Sequence, residues 1–264
     1  MKHQKAKVHF MLEINEIFGP TIQGEGKFAG NISMFIRFGK CNFRCPGFGV
    51  EYITPSGTKK CSCDSFHAVD TEFRESWMRF DNASEIIKIV ENLITGAKLD
   101  KKPDIVITGG EPLLQWNELE FQKLLRFYVE RDFRVTIETN ASLDIELLEP
   151  YQKKLIFSAS VKLSNSGESA KKRVNEKTLQ NIANANRESY LKLVVDKNSL
   201  DVSENEIDEI CKIVPNMDIY LMPKGDDAAE LDKNAIATVE LALKKGYKYT
   251  DRLHIRIWGN KRGV

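Results

Sequence analysis

Four of the five cysteines, Cys41, Cys45, Cys61 and Cys63, fall within 23 residues. Thiolates are soft donors that select zinc, copper(I) or iron–sulfur centres. A pair of disulfides is the bland alternative. However, Met1-Lys2-His3-Gln4-Lys5-Ala6-Lys7 leads into no apolar signal core, and no run is long enough to cross a membrane. Cysteine patterns outside oxidising compartments read as metal-binding or catalytic. Three thiolates on a 4Fe–4S cluster would leave one iron open to a small molecule, whereas four on zinc would close the site and make it structural. Cys41 and Cys45 could form one zinc knuckle, but Cys61 and Cys63 stand too close for the usual second. Cys211, beside Ile210 and Ile213 in a helical stretch, reads as core packing.

Other residues carry chemistry too. Thr108-Gly109-Gly110-Glu111-Pro112 is either a plain tight turn or a place where bare backbone approaches a ligand. Arg37 lies inside the apolar run Ser33-Met34-Phe35-Ile36-Arg37-Phe38, where an unpaired guanidinium is costly, so it should face a carboxylate of the protein or of a substrate. Gln23-Gly24-Glu25-Gly26 reads as a loop. His3, His9 and His67 form no cluster, and His254 reads as a core histidine on a final strand.

These groups need elements to position them. Short β-branched runs predict strands over 11–17, 33–38, 103–107, 134–138, 154–160, 190–195, 218–222 and 253–258. Helical patterns predict helices over 83–93, 117–130, 142–149, 174–185, 203–213 and 227–245, the first capped by Asn82 or Asp81. Near-continuous apolar strands alternating with helices imply a parallel sheet with helices outside. The polar residues then collect at one edge. Cys41, Thr108, Glu138, the pair Ser160 and Lys162, and Lys224 follow or end five different strands, as at the active-site rim of a (β/α) barrel. Residues 40–80 break the alternation and read as a long loop organised by a metal. The 264 residues, 42% hydrophobic, suffice for one large core, and a net charge of +1 gives no footprint for nucleic acid or an anionic membrane.

Taken together, these motifs resemble the radical S-adenosylmethionine enzymes and, within them, the 7-carboxy-7-deazaguanine synthase family. The resemblance spans the chain: Ile17-Phe18-Gly19-Pro20-Thr21-Ile22-Gln23-Gly24-Glu25-Gly26, Phe35-Ile36-Arg37-Phe38-Gly39-Lys40-Cys41-Asn42, Cys63-Asp64-Ser65, Ile107-Thr108-Gly109-Gly110-Glu111-Pro112, Ser160-Val161-Lys162, Tyr220-Leu221-Met222-Pro223-Lys224-Gly225 and His254-Ile255-Arg256-Ile257-Trp258-Gly259-Asn260. It implies a single domain over 1–264, an incomplete (β/α) barrel with a long cysteine-rich cluster loop. It also implies a 4Fe–4S cluster on three cysteines, with S-adenosylmethionine on the open iron as the source of a 5′-deoxyadenosyl radical. The substrate would be 6-carboxy-5,6,7,8-tetrahydropterin, and the product 7-carboxy-7-deazaguanine, an early step toward queuosine-type 7-deazapurines. Ile22, Gln23, Gly24, Arg37 and Thr108 would contact the pterin, with Arg37 on its carboxylate. Ser62, Asp64, Gly110, Ser160, Val161 and Lys162 would surround S-adenosylmethionine, and Glu138 would act at the rim. Ser65, in place of the family's threonine, would keep an oxygen for Mg²⁺. Flavodoxin or ferredoxin would supply electrons to a cytoplasmic homodimer.

By the same likeness Cys41, Cys45 and Cys63 hold the cluster. Cys45 keeps the family's first interval, Cys41-x3-Cys45, and Cys61 is separated from Cys63 by Ser62 alone. Some family members carry a long insert before a middle cysteine close to the last, so Cys61 is the alternative. The chain departs from the family in three ways: an insert between Cys45 and Cys63, Val161 in place of proline, and a tail running on past the family-like histidine. Two rivals stay open here. A glycyl-radical activating enzyme would share the cluster but need neither Arg37 nor the 23–25 loop, and a zinc-stabilised binding module would do no catalysis.

Overall fold

Unbroken apolar runs such as Ile105-Val106-Ile107 are stable as strands only if both faces are covered. In the computed structural model, which describes residues 11–264, they are. The strands are β1 (Leu12–Ile22), β2 (Ile32–Phe38), β3 (Val50–Ile53), β4 (Lys59–Ser62), β5 (Met78–Phe80), β6 (Asp104–Gly109), β7 (Val135–Thr139), β8 (Ile156–Ala159), β9 (Tyr190–Val195), β10 (Asp218–Pro223) and β11 (Lys248–Tyr249). Nine of them form one sheet in the order β11-β10-β9-β8-β7-β6-β2-β1-β5. From β2 to β11 all neighbours are parallel, and β1 and β5 add an antiparallel edge. This is the open α/β arrangement expected of an incomplete barrel.

Helices α1 (Phe66–Val69), α2 (Ala83–Ala97), α3 (Leu119–Val129), α4 (Ala170–Arg173), α5 (Glu176–Ala185), α6 (Leu200–Ile213), α7 (Ala228–Lys245) and α8 (Leu253–Trp258) complete the chain. Asn82 caps α2 by accepting from the Glu85 amide, and the apolar stripe below it buries Ile86 and Val90. One core runs through Ile36, Ile107, Ile137 and Phe157 of the central strands to Phe121 and Tyr128 of α3. None of the described helices is long and apolar enough to cross a membrane.

Two expected elements differ. Residues 142–149 are not helical. Their backbone is instead held by side chains of the neighbouring helix and its cap: Thr178 donates to the Leu143 carbonyl, Asn181 to that of Ile145 and Asn175 to that of Ser142. Residues 253–258 alternate like a strand but form α8, with Ile255 buried and Ile257 exposed. His3 and His9 lie outside the described residues.

The 40–80 segment has protein-built structure of its own. β3 and β4 pair as a hairpin, and Tyr52 of β3 stacks on Phe66 at 4.3 Å while donating to Asp70 at 2.9 Å. β5 then returns to the main sheet against β1. Strand register carries the polar residues. Glu16 of β1 lies opposite Arg37 of β2, and Arg37 opposite Thr108 of β6, while Glu138 sits one residue beyond the Ile107–Ile137 pair. A row of charged and hydroxyl groups therefore crosses the sheet at one level.

The turn after Cys45 packs on the loop after β8 with no room to spare: a Cβ on Gly47 would lie 2.2 Å from the Asn165 carbonyl oxygen and 2.8 Å from the Gly167 amide. Gly47→Ala should destabilise by about 1–3 kcal/mol, lowering Tm by roughly 2–4 °C per kcal/mol. Gly96→Ala, in α2 with nothing within 4 Å of the added atom, should leave Tm unchanged or raise it. Equal Tm values for Gly47→Ala and the parent would contradict this packing.

Candidate active site

The C-terminal ends of the parallel strands open into a cavity of about 290 Å³. Its floor begins where β2 ends. Lys40 takes a left-handed turn, φ 73°, that its neighbours hold from three sides. Its amide donates to the Ala68 carbonyl at 2.7 Å, its carbonyl accepts from the Glu111 amide at 2.8 Å, and its ammonium pairs with buried Glu13 at 2.5 Å. Gly110 must be glycine here, since a Cβ would sit 2.1 Å from the Lys40 carbonyl oxygen. Cys41 leaves this junction facing the cavity.

Cys45 is also left-handed, φ 48°, a conformation that a non-glycine residue keeps only where its surroundings impose it. Here Glu168 accepts from the amides of both Arg44, at 2.7 Å, and Cys45, at 3.1 Å. Cys63 follows β4, and the Ser62 hydroxyl ties that strand end to the Arg44 carbonyl. Cys41, Cys45 and Cys63 all line the cavity, and each lies close enough to another of the three to oppose its ionisation. Burial is the larger obstacle: it pushes Cys45 up to about 12 and raises Cys41 and Cys63 as well, while the Lys162 ammonium favours the thiolates of Cys45 and Cys63. Three soft donors, Cys45 buried and Cys41 and Cys63 partly so, that resist ionisation on their own suit a cationic iron centre that would compensate them. Cys61 is exposed, its thiol 3.3 Å from the Pro46 carbonyl oxygen, and it does not line the cavity. Among the described residues no three His, Cys, Asp or Glu side chains converge tightly enough for a single metal ion.

A chain of charges forms the opposite wall. Glu138 accepts from Gln23 at 3.1 Å through one oxygen and from the Thr108 hydroxyl at 2.8 Å through the other. Lys192 of β9 sits 3.8 Å from Glu138 and 2.5 Å from Glu25. Arg252 bridges Glu25, at 2.7 Å, to Asp64, at 2.5 Å. Burial opposes the charge of Glu25, Asp64, Lys192 and Arg252, but the partners prevail. Asp64 is brought down to about 2 chiefly by Arg252, Glu25 is held well below the usual carboxylate range by Lys192 and Arg252, and Lys192 is held upward by Glu138 and Glu25. His254 of α8 faces Glu25 at 3.9 Å, and burial lowers its pKa.

Arg37 meets a carboxylate of the protein: its Nε donates to Glu16 at 2.7 Å, and Arg37 also lines the cavity. Ile22, Gln23, Gly24, Thr108, Gly110, Asp64, Ser65, Ser160 and Lys162 line it as well, with the Lys162 ammonium 3.0 Å from the Ser160 hydroxyl. Ser62 and Val161 are buried outside the lining, so Val161 offers the cavity at most its backbone. Glu16, Lys192 and Arg252 were not singled out from sequence, Glu25 and the tail 259–264 were given no role there, and His254 was read as a core histidine on a strand; all line the cavity, His254 from α8. Lys192 carried a usable signal: like Arg37, it is a charge inside an apolar strand.

No family model matches the chain. A 7-carboxy-7-deazaguanine synthase of Halobacterium salinarum is 31% identical over 264 residues, covering 94% of this chain and 91% of its own length. One from Rickettsia prowazekii is also 31% identical, covering 92% and 86%, and one from Bacillus subtilis is 24% identical, covering 96% and 98%. A crystal structure of QueE from Escherichia coli superposes with a TM-score of 0.61 at 20% identity, over 96% of this chain and 100% of that one. With likeness at this level along almost its entire length, the chain belongs to the 7-carboxy-7-deazaguanine synthase family of radical S-adenosylmethionine enzymes.

Proposed function

We propose that the cavity at the strand ends is where this enzyme holds its cluster, S-adenosylmethionine and carboxypterin. The reaction is that of a radical S-adenosylmethionine lyase, which converts 6-carboxy-5,6,7,8-tetrahydropterin to 7-carboxy-7-deazaguanine with loss of ammonia. The observation that carries the site assignment is the convergence of Cys41, Cys45 and Cys63, but not Cys61, on the cavity that Arg37 and Thr108 share. When bound, the cluster and S-adenosylmethionine supply the one-electron reductive cleavage that makes a hydrogen-abstracting radical.

The chain's own residues bind, orient and shield. Cys41, Cys45 and Cys63 hold the cluster. Asp64, Gly110, Ser160 and Lys162, with Ser62 and Val161 behind them, take S-adenosylmethionine; the Lys162 ammonium suits its carboxylate. Ile22, Gln23, Gly24 and Thr108 seat the pterin ring, and Arg37 takes its carboxylate. Glu138 fixes Gln23 and Thr108 by accepting from both, so it sets the ring's orientation from the rim. The stacked pair Phe18 and Phe35, with centroids 4.9 Å apart, gives the cavity an apolar wall that excludes water from reactive species. Ser65 offers a hydroxyl oxygen to Mg²⁺. A single domain over 1–264, a homodimer, a cytoplasmic location and flavodoxin or ferredoxin as reductant complete the reading on the strength of the family likeness.

Anaerobic reconstitution separates the cysteines. Cys61→Ala should take up a full complement of iron and sulfide, and Cys45→Ala should not; the opposite result would overturn the assignment. Ser65→Ala should keep its cluster but lose the response of turnover to added Mg²⁺. Indifference of both parent and variant to Mg²⁺ would remove the metal from the site.

A further inference from the structure

The pairing of Arg37 with Glu16 raises a problem of charge. A carboxylate presented to an arginine already neutralised by a glutamate gains little, because attraction and repulsion nearly cancel at similar range. Glu16 is ionised in this setting: burial opposes its charge, but His67, Arg37 and Arg262 hold its pKa at about 2. His67 stands farther off, its Nε2 3.8 Å from the Glu16 oxygen that Arg37 already holds. Asp64, also near Arg37, is already spoken for by Arg252.

The tail supplies the missing cation. Residues 259–264 run from α8 back along the cavity. Arg262 places one terminal nitrogen 3.4 Å from the second oxygen of Glu16 and 3.4 Å from the Asn15 side-chain oxygen. Glu16 thus stands between two arginines, Arg37 on one oxygen and Arg262 on the other. Among the described residues the Arg37 terminal nitrogens have no hydrogen-bond partner, and the Arg262 side chain is 55% exposed, leaving it free to turn toward a ligand. Two arginines around one glutamate leave a single positive charge, which one ligand carboxylate would neutralise.

We infer that Arg262 is a specificity-determining residue for the substrate, a second cation that with Arg37 reads the pterin carboxylate across Glu16. This rests on the reading that the carboxylate is seated at Arg37, and it adds a residue from the tail that departs from the family pattern.

The test is equilibrium binding of fluorescent 6-carboxypterin, and of pterin lacking the carboxylate, to anaerobic cluster-loaded enzyme. Arg262→Gln should weaken 6-carboxypterin on the order of five- to tenfold, leave pterin unchanged, and be largely rescued by Arg262→Lys. In turnover the same variant should raise KM more than it lowers kcat, as loss of binding common to ground and transition state does. Arg37→Ala is the internal control. If it loses 6-carboxypterin while Arg262→Gln binds like the parent, the inference fails and the seating at Arg37 stands. If neither variant loses affinity, the seating itself is wrong and the inference falls with it. Equal weakening of both ligands by Arg262→Gln would also overturn it, because Arg262 would then act on the shape of the cavity rather than on the carboxylate.

Discussion

The carboxylate of Glu111 holds the strand ends together. It is completely buried, and it accepts from the Thr139 hydroxyl at 2.7 Å, the Asn140 amide at 2.7 Å and the Leu113 amide at 3.0 Å. Burial raises its pKa, while those three donors favour its charged form. Parallel strands end with amides that have no next residue to pair with, and a buried orphan costs as much as a lost hydrogen bond. Glu111 answers this for β6 and β7 at once, and its own amide fastens Lys40 at the end of β2. Three strand ends are thereby brought to one level, which is what lets Cys41, Gly110 and Asn140 face a common space.

Above that junction the site is built from charges that could not be buried singly. Glu25, Arg252, Asp64, Lys192 and Glu138 form one connected set, in which removing Arg252 would leave Asp64, and removing Lys192 would leave Glu138, without its ion-pair partner. The set joins the loop after β1, strands β7 and β9, the residue after Cys63, and the residue that precedes α8. The loop after β1 and the loop that carries Cys63 are therefore not independent. A shift of Asp64 is felt through Arg252 at Glu25, next to Gln23 and Gly24.

The central strands were legible in the sequence because burial on both faces leaves apolar runs that nothing else explains. The site was half legible. Arg37 and Lys192 broke the same rule in the same way, a charge inside such a run, but only Arg37 was followed up. Arg252 left no mark and Glu25 counted only as a member of its loop, since a charge in a loop is ordinary until its partner is known, and here the partner is 227 positions away. Residues 142–149 have helical spacing, but the Asn175, Thr178 and Asn181 side chains satisfy their backbone and override it. In α8 an alternating pattern on six residues was too short to separate strand from helix.

The charged wall also orders events in time. Glu16 and Glu25 emerge early in synthesis, the cavity thiols Cys41, Cys45 and Cys63 soon after, and Arg252 and Arg262 only near the end. On the ribosome, the three thiols are made while the wall that faces them is missing and Glu25 lacks both Lys192 and Arg252. Closing contacts at such sequence separations is slow relative to local folding. A nascent chain therefore carries Cys41, Cys45 and Cys63 before it can enclose them. The left-handed turn at Cys45, held from Glu168, likewise cannot be fixed until the chain has grown more than a hundred residues past it.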